Sequence, residues 1–352
     1  MQDKAKNAGK VAIVLEGGSF RGEFTAGVLD VLMENGVEVA ACYGTSAGAL
    51  NGLNYKSRQI GRVNRVNLAF CNDPRYMGAQ SLMTTGSMVG YDFILNDVQD
   101  RLDPFDNEAF FANPMEMYAC ATDIVFGTAA YLPVRDATLD IDAVRASTSL
   151  PLVTKPVEID GHLYLDGGTA DSVPVEHVLE NAGFDRAIVV LTQDRSYQKS
   201  PYGLMGAARA AYAGYPYLLE AMENRHERYN EQREHIWEYE RAGRALVLLD
   251  RIGPRRPPPC PPPAGPSRGS PCRARYREVA ESLYPGSSGG QAPFGRDTGV
   301  RRTLGATARM RAFSSQQIKP TAACAEVLHR RRKTFDLPHI GVIIDRLLSR
   351  AP

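Results

Sequence analysis

The sequence at residues 39–52 is V-A-A-C-Y-G-T-S-A-G-A-L-N-G. A short apolar run is followed by Gly-x-Ser-x-Gly and then by small residues, which predicts a strand that turns sharply into a helix with Ser46 at the corner. In such an elbow the serine is held at the end of the strand, where its hydroxyl can act as a nucleophile. A serine between two glycines can also be no more than a tight turn. The interpretation therefore depends on partner residues elsewhere in the chain.

The segments around this elbow alternate between strand and helix patterns. They predict strands at 10–15 and 37–43 and helices at 22–35 and 47–56. Two strands and two helices in this order imply right-handed crossovers and a parallel sheet covered on both faces. The expected fold class is therefore α/β: a three-layer α/β/α sandwich with a mainly parallel central sheet, followed by a low-complexity C-terminal tail.

Shorter patterns follow further along the chain, after the mostly helical and loop signals of residues 57–115. They predict strands at 117–122, 127–131, 187–191 and 245–249, helices at 143–149 and 216–240, and a hairpin over 157–165 with a type I′ turn at Asp160-Gly161. The segment 203–222 carries small and aromatic residues with few charges. It is expected to be a buried packing helix, and the alternative is a lid or lipid-facing patch.

The composition of the 352 residues, 43% of them hydrophobic, allows a sizeable core. No apolar run approaches the roughly 18 residues of a membrane span, and no signal-peptide pattern opens the chain. A cytoplasmic location is expected, with at most peripheral and transient contact at the inner membrane surface. The six cysteines show no CxxC or CxxH spacing, so neither a metal site nor a disulfide framework is indicated. Cys42, inside an apolar strand, is expected to be a small core residue.

The net charge of +1 conceals two unlike parts. Residues 253–352 carry 18 Lys and Arg against 6 Asp and Glu, together with 14 of the 23 prolines, whereas the preceding part has a net charge of −11. A disordered Pro/Arg-rich linker and basic tail is one explanation. Translation in a shifted reading frame near Gly253 is the favoured one, because out-of-frame GC-rich DNA yields mostly Arg, Pro, Ala, Gly and Ser. The other two frames of the gene would show which holds.

A glycine-rich loop, G-G-S-F-R-G at 17–22, lies between the first predicted strand and its helix. Its glycines let backbone N–H groups turn inward, and the helix N-terminus adds positive potential, so the loop can hold an oxyanion. A phosphate cradle is the alternative. A dinucleotide-binding fingerprint, however, requires an acidic residue at the end of the second strand, which ends instead in Cys42-Tyr43-Gly44. Arg21 could steer an anionic head group or form a salt bridge that holds the loop.

The candidates for a general base are two histidines and one aspartate. His177 and His226 follow Ser46 in the order that an α/β-hydrolase triad needs, but their charged helical surroundings are typical of a solvated face. Asp166 ends the predicted strand H-L-Y-L and opens D-G-G, at the sheet edge where ligands collect in α/β proteins. Taken alone, D-G-G is most often a simple turn.

Together the three motifs resemble those of the patatin-like phospholipase family, closest to its bacterial members. The family's G-G-[GSA]-x-[RK]-G falls on Gly17 to Gly22, its G-x-S-x-G on Gly44 to Gly48 and its D-G-[GA] on Asp166 to Gly168. The flanking F-T-A-G-V-L-D-V-L agrees, as does an S-x-P element at 149–151. Ser19 departs mildly from a frequent third glycine.

The resemblance implies a domain organisation and a site. The domains are an N-terminal tail at 1–8, a patatin-like catalytic domain at 9–195, a helical extension with the last strand at 196–252, and the tail at 253–352. The catalytic pair is a Ser46–Asp166 dyad that works without histidine, cofactor or metal. The supporting residues are the oxyanion loop Gly17, Gly18, Ser19, Phe20, Arg21 and Gly22, the elbow residues Gly44, Thr45, Ala47 and Gly48, and the D-G-G residues Gly167 and Gly168.

The implied function is a serine acyl hydrolase that cleaves lipid or other carboxylic esters through an acyl-enzyme. A catalytically silent protein that binds a lipid or a partner is the second hypothesis. Binding of nucleic acid through the basic tail is the third, and it is not expected, because the folded part is acidic and the tail lacks interleaved aromatic residues. The implied partner is a lipid or small ester substrate; the sequence does not fix an oligomeric state.

Overall fold

The computed structural model describes residue 7, residues 9–71 and residues 73–249. The predicted tail at 253–352, with both explanations of its composition, lies outside the described residues, and so does nearly all of the predicted N-terminal tail.

The centre of the described part is one sheet of eight strands. They are β1 (Val11–Leu15), β2 (Ala41–Thr45), β3 (Glu116–Asp123), β4 (Ala129–Pro133), β5 (Val157–Ile159), β6 (His162–Asp166), β7 (Arg186–Leu191) and β8 (Ala245–Leu249). The hydrogen-bonded order is β5-β6-β3-β2-β1-β7-β8, and β4 also pairs with β3. Pairing is parallel from β3 through β2, β1 and β7 to β8, and antiparallel for β4, β5 and β6. The predicted α/β class with a mainly parallel sheet is confirmed.

Helices connect these strands and cover the sheet. They are α1 (Gly22–Glu34), α2 (Ala47–Lys56), α3 (Arg62–Phe70), α4 (Ala79–Thr85), α5 (Asn107–Ala112), α6 (Ile141–Thr148), α7 (Met205–Ala211), α8 (Pro216–Glu223) and α9 (Arg225–Arg241), with π-helical segments at Phe93–Leu102 and His177–Asn181.

The two faces of the sheet are buried under different helices, as period-2 strands flanked by helices require. On one face, Val14 and Val189 pack with Trp237 of α9. On the other, Met117 of β3 packs with Leu53 of α2. The helical region after β7 therefore belongs to the same core as the first strands.

Several predicted elements differ from the structure in their bounds or their division, and two of these differences are informative. The strand predicted at 37–43 is Ala41–Thr45, because Val37 is buried as part of the connection from α1, where its N–H donates to the Leu32 carbonyl (2.9 Å), and not through the sheet. The helix predicted at 216–240 is divided into α8 and α9 at Asn224. Charge spacing alone does not reveal this break, because both halves continue the same helical pattern.

The segment 203–222 forms α7 and α8 and does not form one helix. Ala208, Leu218 and Met222 are buried against Leu165 of β6, whereas Leu204 and Tyr217 are exposed, so the prediction of a buried packing helix is correct for one face only. The lid interpretation has no support from these buried residues.

The register of β3 places the ends of two other strands against each other. Residues 118–120 of β3 pair with both β2 and β4, and residues 121–122 pair with both β4 and β6. A strand has only two edges, so β2 and β6 must share the edge opposite β4. β2 runs parallel to β3 and ends opposite Cys120, while β6 runs antiparallel and ends opposite Ala121. The carboxyl ends of β2 and β6 therefore face each other.

Candidate active site

Ser46 occupies the corner between β2 and α2, as the sequence predicts. Its backbone has φ 55° and ψ −122°, a conformation that costs a non-glycine residue about 1–3 kcal/mol. The side chain is only 9% exposed, and it lies at the N-terminus of α2, whose positive end favours a developing alkoxide. The strain is retained because the turn must lift the serine off the end of the strand.

The two glycines of the elbow are required by close backbone packing. A Cβ at Gly44 would lie 2.6 Å from the backbone of Gly48, and a Cβ at Gly48 would lie 2.3 Å from the carbonyl oxygen of Leu15. Real Cβ atoms do not approach backbone atoms so closely. The elbow can therefore form only when both positions lack a side chain.

Replacing Gly48 by alanine is expected to destabilise the protein by about 1–3 kcal/mol, or to prevent folding, because the new methyl group overlaps the backbone of β1. Thermal unfolding measures the change, at roughly 2–4 °C for each kcal/mol. Gly206→Ala is the matched control: a Cβ there meets no atom within 4 Å, and alanine favours the helix, so its melting temperature should stay level or rise. An unchanged melting temperature for Gly48→Ala would contradict the close packing.

Ser147 of α6 fixes the backbone of the elbow, and sequence reasoning missed it. Its hydroxyl donates to the carbonyl of Cys120 (2.6 Å) and accepts from the N–H of Ser46 (2.9 Å). All three groups are buried, so the hydroxyl satisfies an amide that water cannot reach. The signal that could have found Ser147 is weak, since it lies about a hundred positions from Ser46 and belongs to no motif.

Asp166 lies at the end of β6, opposite the end of β2. Its Oδ1 accepts a hydrogen bond from the N–H of Gly168 (2.7 Å), and its own N–H donates to the carbonyl of Ser149 (2.7 Å). A Cβ at Gly167 would lie 2.1 Å from the carbonyl oxygen of Cys120, so the D-G-G turn also depends on a glycine. The S-x-P element noted in the sequence thus supports the backbone of Asp166.

Burial dominates the electrostatics of Asp166. The carboxyl is 3% exposed, and its Oδ2 accepts no hydrogen bond of normal geometry from the described residues. Desolvation raises the pKa of Asp166, and the Ser46 hydroxyl, the charge of Arg225 and the N–H of Gly168 offset part of this rise. A carboxylate with a raised pKa is a better proton acceptor than a solvated one.

The glycine-rich loop lies against the elbow. A Cβ at Gly17 would lie 3.1 Å from the Cβ of Ser46. The N–H groups of Gly17 and Gly18 donate to no acceptor within the described ranges, so they are available to a ligand. Ser19 has φ 49°, a conformation that favours glycine, which gives a physical reason for the glycine frequent at this position in similar sequences. Phe20 is half exposed beside it.

Arg21 follows these residues and makes no ion pair within the described residues. Its Nε lies 3.4 Å from Thr192 Oγ1, which itself donates to Glu16. One role considered for Arg21 from the sequence is a salt bridge. Arg21 forms no such bridge with any described carboxylate. Its other proposed role, contact with an anionic group, stays a prediction.

The histidines that follow Ser46 in sequence order lie away from it. The ring of His177 stacks on Tyr131, with centroids 3.5 Å apart, and burial lowers the pKa of His177 to about 4. His226 contacts the carbonyl of Glu223. Neither lines the cavity at Ser46. Cys42 is fully buried, as predicted, and burial raises its pKa to about 12.

Two cavities meet at Ser46. The first has a volume of about 360 Å³, contains polar and charged groups, and is lined by Asp166, Arg21, Lys199 and Arg225 among others. The second has a volume of about 150 Å³ and is lined largely by apolar side chains of α2, α3 and the segments on either side of α4, including Leu50, Val66, Met77, Tyr91, Ile94 and Leu95. Ser46 thus separates a polar compartment from an apolar one.

The polar cavity contains residues that sequence reasoning did not single out. Lys199 and Arg225 come from the region after β7, and Arg225 donates through Nε to the carbonyl of Gly168 (2.5 Å). Glu16 lies at the end of β1 and is hydrogen-bonded by Thr192 and Tyr229. No local motif marks these positions, because they meet only through the sheet order.

Within the described ranges, no helix has the length and apolar character needed to cross a bilayer. The same residues contain no cluster of three or more His, Cys, Asp or Glu side chains arranged to hold a metal ion.

Comparison with known proteins gives a consistent set of similarities. The chain is 30% identical over 189 residues to the uncharacterised protein YjjU of Escherichia coli, covering 52% of each chain. It is 27% identical over 172 residues to an uncharacterised NTE family protein of Mycobacterium tuberculosis, covering 49% of this chain and 46% of that protein. It is also 28% identical over 174 residues to the lysophospholipase NTE1 of Scheffersomyces stipitis, covering 48% of this chain and 11% of that protein.

These similarities concern one part of the chain. The chain spans about half the length of the Escherichia coli and Mycobacterium tuberculosis proteins and a much smaller share of the Scheffersomyces stipitis protein. The sequence model of the patatin-like phospholipase family matches residues 13–179, which include the glycine-rich loop, Ser46 and Asp166. Residues 13–179 of this chain therefore belong to the patatin-like phospholipase family.

Proposed function

We propose that the protein is a serine acyl hydrolase that cleaves lipid esters, with Ser46 as nucleophile and Asp166 as general base. The observation that carries the proposal is the meeting of β2 and β6 on one edge of β3, which brings both side chains to the wall of one cavity. The family match and the lysophospholipase name of one relative support the same reaction class.

In the proposed acylation step, Ser46 Oγ attacks the ester carbonyl carbon while its proton passes to Asp166. The negative charge that develops on the carbonyl oxygen is accepted by backbone N–H groups of the glycine-rich loop, where Gly17 and Gly18 have no protein acceptor among the described residues. Collapse of the tetrahedral intermediate breaks the ester bond, and Asp166 returns the proton to the leaving alcohol. The products are the free alcohol and an acyl-Ser46 ester.

Deacylation follows the same path with water in place of the alcohol. The water oxygen attacks the acyl carbon while Asp166 accepts a proton from the water. Asp166 then returns this proton to Ser46 Oγ as the carboxylic acid leaves. One buried carboxyl thus serves as base and acid in turn. Its raised pKa keeps the protonated form accessible during both steps.

The two cavities at Ser46 support a division of the substrate into two parts. The apolar cavity is lined by residues such as Leu50, Val66 and Ile94, which suits an acyl chain. The polar cavity then receives the alcohol part of the ester. A lipid ester, with one apolar and one polar end, matches this division better than an ester that is polar throughout.

We expect the full-length protein to hydrolyse p-nitrophenyl butyrate and to react covalently with a fluorophosphonate probe at Ser46. Loss of esterase activity in proportion to labelling, with the labelled peptide identified by mass spectrometry, measures both. A protein that is folded by circular dichroism but neither labels nor hydrolyses the ester would support the alternative, a silent lipid- or partner-binding protein.

A further inference from the structure

The polar cavity at Ser46 contains three cationic side chains that lack a carboxylate partner. Lys199, Arg21 and Arg225 all line it. None of the three forms an ion pair with any described Asp or Glu. Other arginines among the described residues do form such pairs with carboxylates. Three cationic side chains that face one cavity without an ion-pair partner among the described residues constitute a candidate site for an anion.

Lys199 is held in place by neutral groups alone. Its Nζ donates to Ser172 Oγ (3.1 Å) and lies 3.6 Å from the centre of the Tyr229 ring. Burial, and next the charge of Arg225, lower the pKa of Lys199 to about 7, while Glu16 and Asp166 act in the opposite direction. An anion at Nζ would restore the charged form, so binding and protonation of this lysine would reinforce each other.

The acidic side chains of the cavity do not cancel these charges. Thr192 donates to Glu16 through both its N–H and its hydroxyl, and Tyr229 donates its hydroxyl to the other oxygen. Asp166 accepts a hydrogen bond from the N–H of Gly168 and takes part in the proton transfers of the proposed reaction. When Lys199 is protonated, three cations against two carboxylates leave a net positive charge where the leaving alcohol would lie.

Lys199 and Arg225 lie outside the family motifs, whereas Arg21 belongs to the glycine-rich loop. Lys199 and Arg225 lie beyond residue 179, where the family match ends, on the segment after β7 and at the start of α9. They enter the site because β7 and β8 extend the sheet beside β1. The nucleophile and base thus come from the matched part, whereas two of the three cations come from the part that follows it.

We propose that Lys199, Arg225 and Arg21 form a subsite for a leaving alcohol that carries a net negative phosphate, such as a phosphorylated glycerol. The preferred substrate is then a lipid ester with an anionic head group, in preference to one with an uncharged or zwitterionic head group. This inference rests on the proposed function for its role in catalysis, but the anion subsite itself can be measured without turnover.

The test compares octanoyl glycerol phosphate with octanoyl glycerol, which share the acyl chain and differ only in the phosphate. We expect Lys199→Met to lower the ratio of their kcat/KM values by about 10-fold or more, mainly through KM, as expected for loss of a charge-assisted hydrogen bond. Lys199→Arg should restore much of the ratio. Lys10→Met, at the opposite end of β1, is the matched control and should leave the ratio unchanged.

A binding experiment separates this inference from the proposed function. Calorimetric titration of the full-length protein with glycerol phosphate should show saturable binding that Lys199→Met weakens, whether or not any ester is hydrolysed. Absence of this binding, or an equal loss of kcat/KM for both esters in Lys199→Met, would overturn the subsite. Inorganic phosphate that binds as tightly as glycerol phosphate would also overturn it, since the site would then recognise a free anion and not a head group.

Discussion

Alanine at position 46 is expected to lower kcat/KM for p-nitrophenyl butyrate by at least about 10⁴-fold. Ser46 lies where both cavities meet, is held at the helix N-terminus by the elbow, and has its hydroxyl beside the Asp166 carboxyl. Removing the nucleophile of a serine hydrolase costs activity on this scale, because the covalent route is lost entirely.

The measurement needs a variant that is folded and a serine that should not matter. Alanine keeps the Cβ of Ser46 and is expected to leave the melting temperature nearly unchanged, because the strained backbone stays the same. Ser196→Ala, at an exposed turn beside Asp194, should retain wild-type activity. Full activity in Ser46→Ala would show that the nucleophile has been assigned to the wrong residue.

Asparagine at position 166 is expected to separate activity from stability. The amide is nearly isosteric with the carboxyl and can still accept from the N–H of Gly168, but it cannot take a proton from Ser46. Loss of a general base typically lowers kcat by about 10²- to 10⁴-fold. Asp160→Asn is the control, since it changes only the exposed β5–β6 turn, where asparagine tolerates the positive φ of 51°.

The Asp166→Asn variant should be more stable than the wild type at neutral pH, although it is less active. Burial raises the pKa of Asp166 in the folded protein above its unfolded value, so ionisation of this carboxyl favours the unfolded chain. The protonated Asp166 carboxyl favours the folded state. This contribution is fully present below the unfolded pKa of about 3.9 and is lost as the pH rises through the folded pKa. At neutral pH the variant should therefore melt at a higher temperature than the wild type. A lower melting temperature would contradict the unfavourable burial of this charge.

The pH dependence of the wild-type enzyme follows from the same shift. kcat/KM should fall as the pH is lowered through the raised pKa of Asp166, because the protonated carboxyl cannot act as a base.

Local sequence signals predicted the parts of the site that depend on local geometry. The Gly-x-Ser-x-Gly spacing predicted the β2–α2 elbow. Asp160-Gly161 predicted the turn of the hairpin whose second strand ends at Asp166, and the two turn residues have φ values of 51° and 80°. In each case a backbone conformation restricts the residue types at two or three adjacent positions, so a short pattern is informative. The catalytic roles of these residues remain predictions until the variants are measured.

Long-range contacts left no such signal. Ser147 supports the elbow across about a hundred residues, and Lys199 and Arg225 reach the cavity only through the order of the strands. A serine, a lysine and an arginine in ordinary helical or loop contexts are compatible with many environments. Their importance depends on which strands are neighbours, and sequence periodicity does not determine that order.

The shared edge of β3 also bears on how such proteins could diversify. Ser46 and Asp166 are separated by 119 intervening residues, yet the strands that precede Ser46 and contain Asp166 end opposite two consecutive residues, Cys120 and Ala121. Insertions or deletions in the connection at 57–115, or in the connection at 135–156 away from Ser147 and Ser149, would leave that alignment intact. The same connections supply much of the apolar cavity, so changes in chain length there could alter which acyl chains fit while the proposed catalytic pair stays the same.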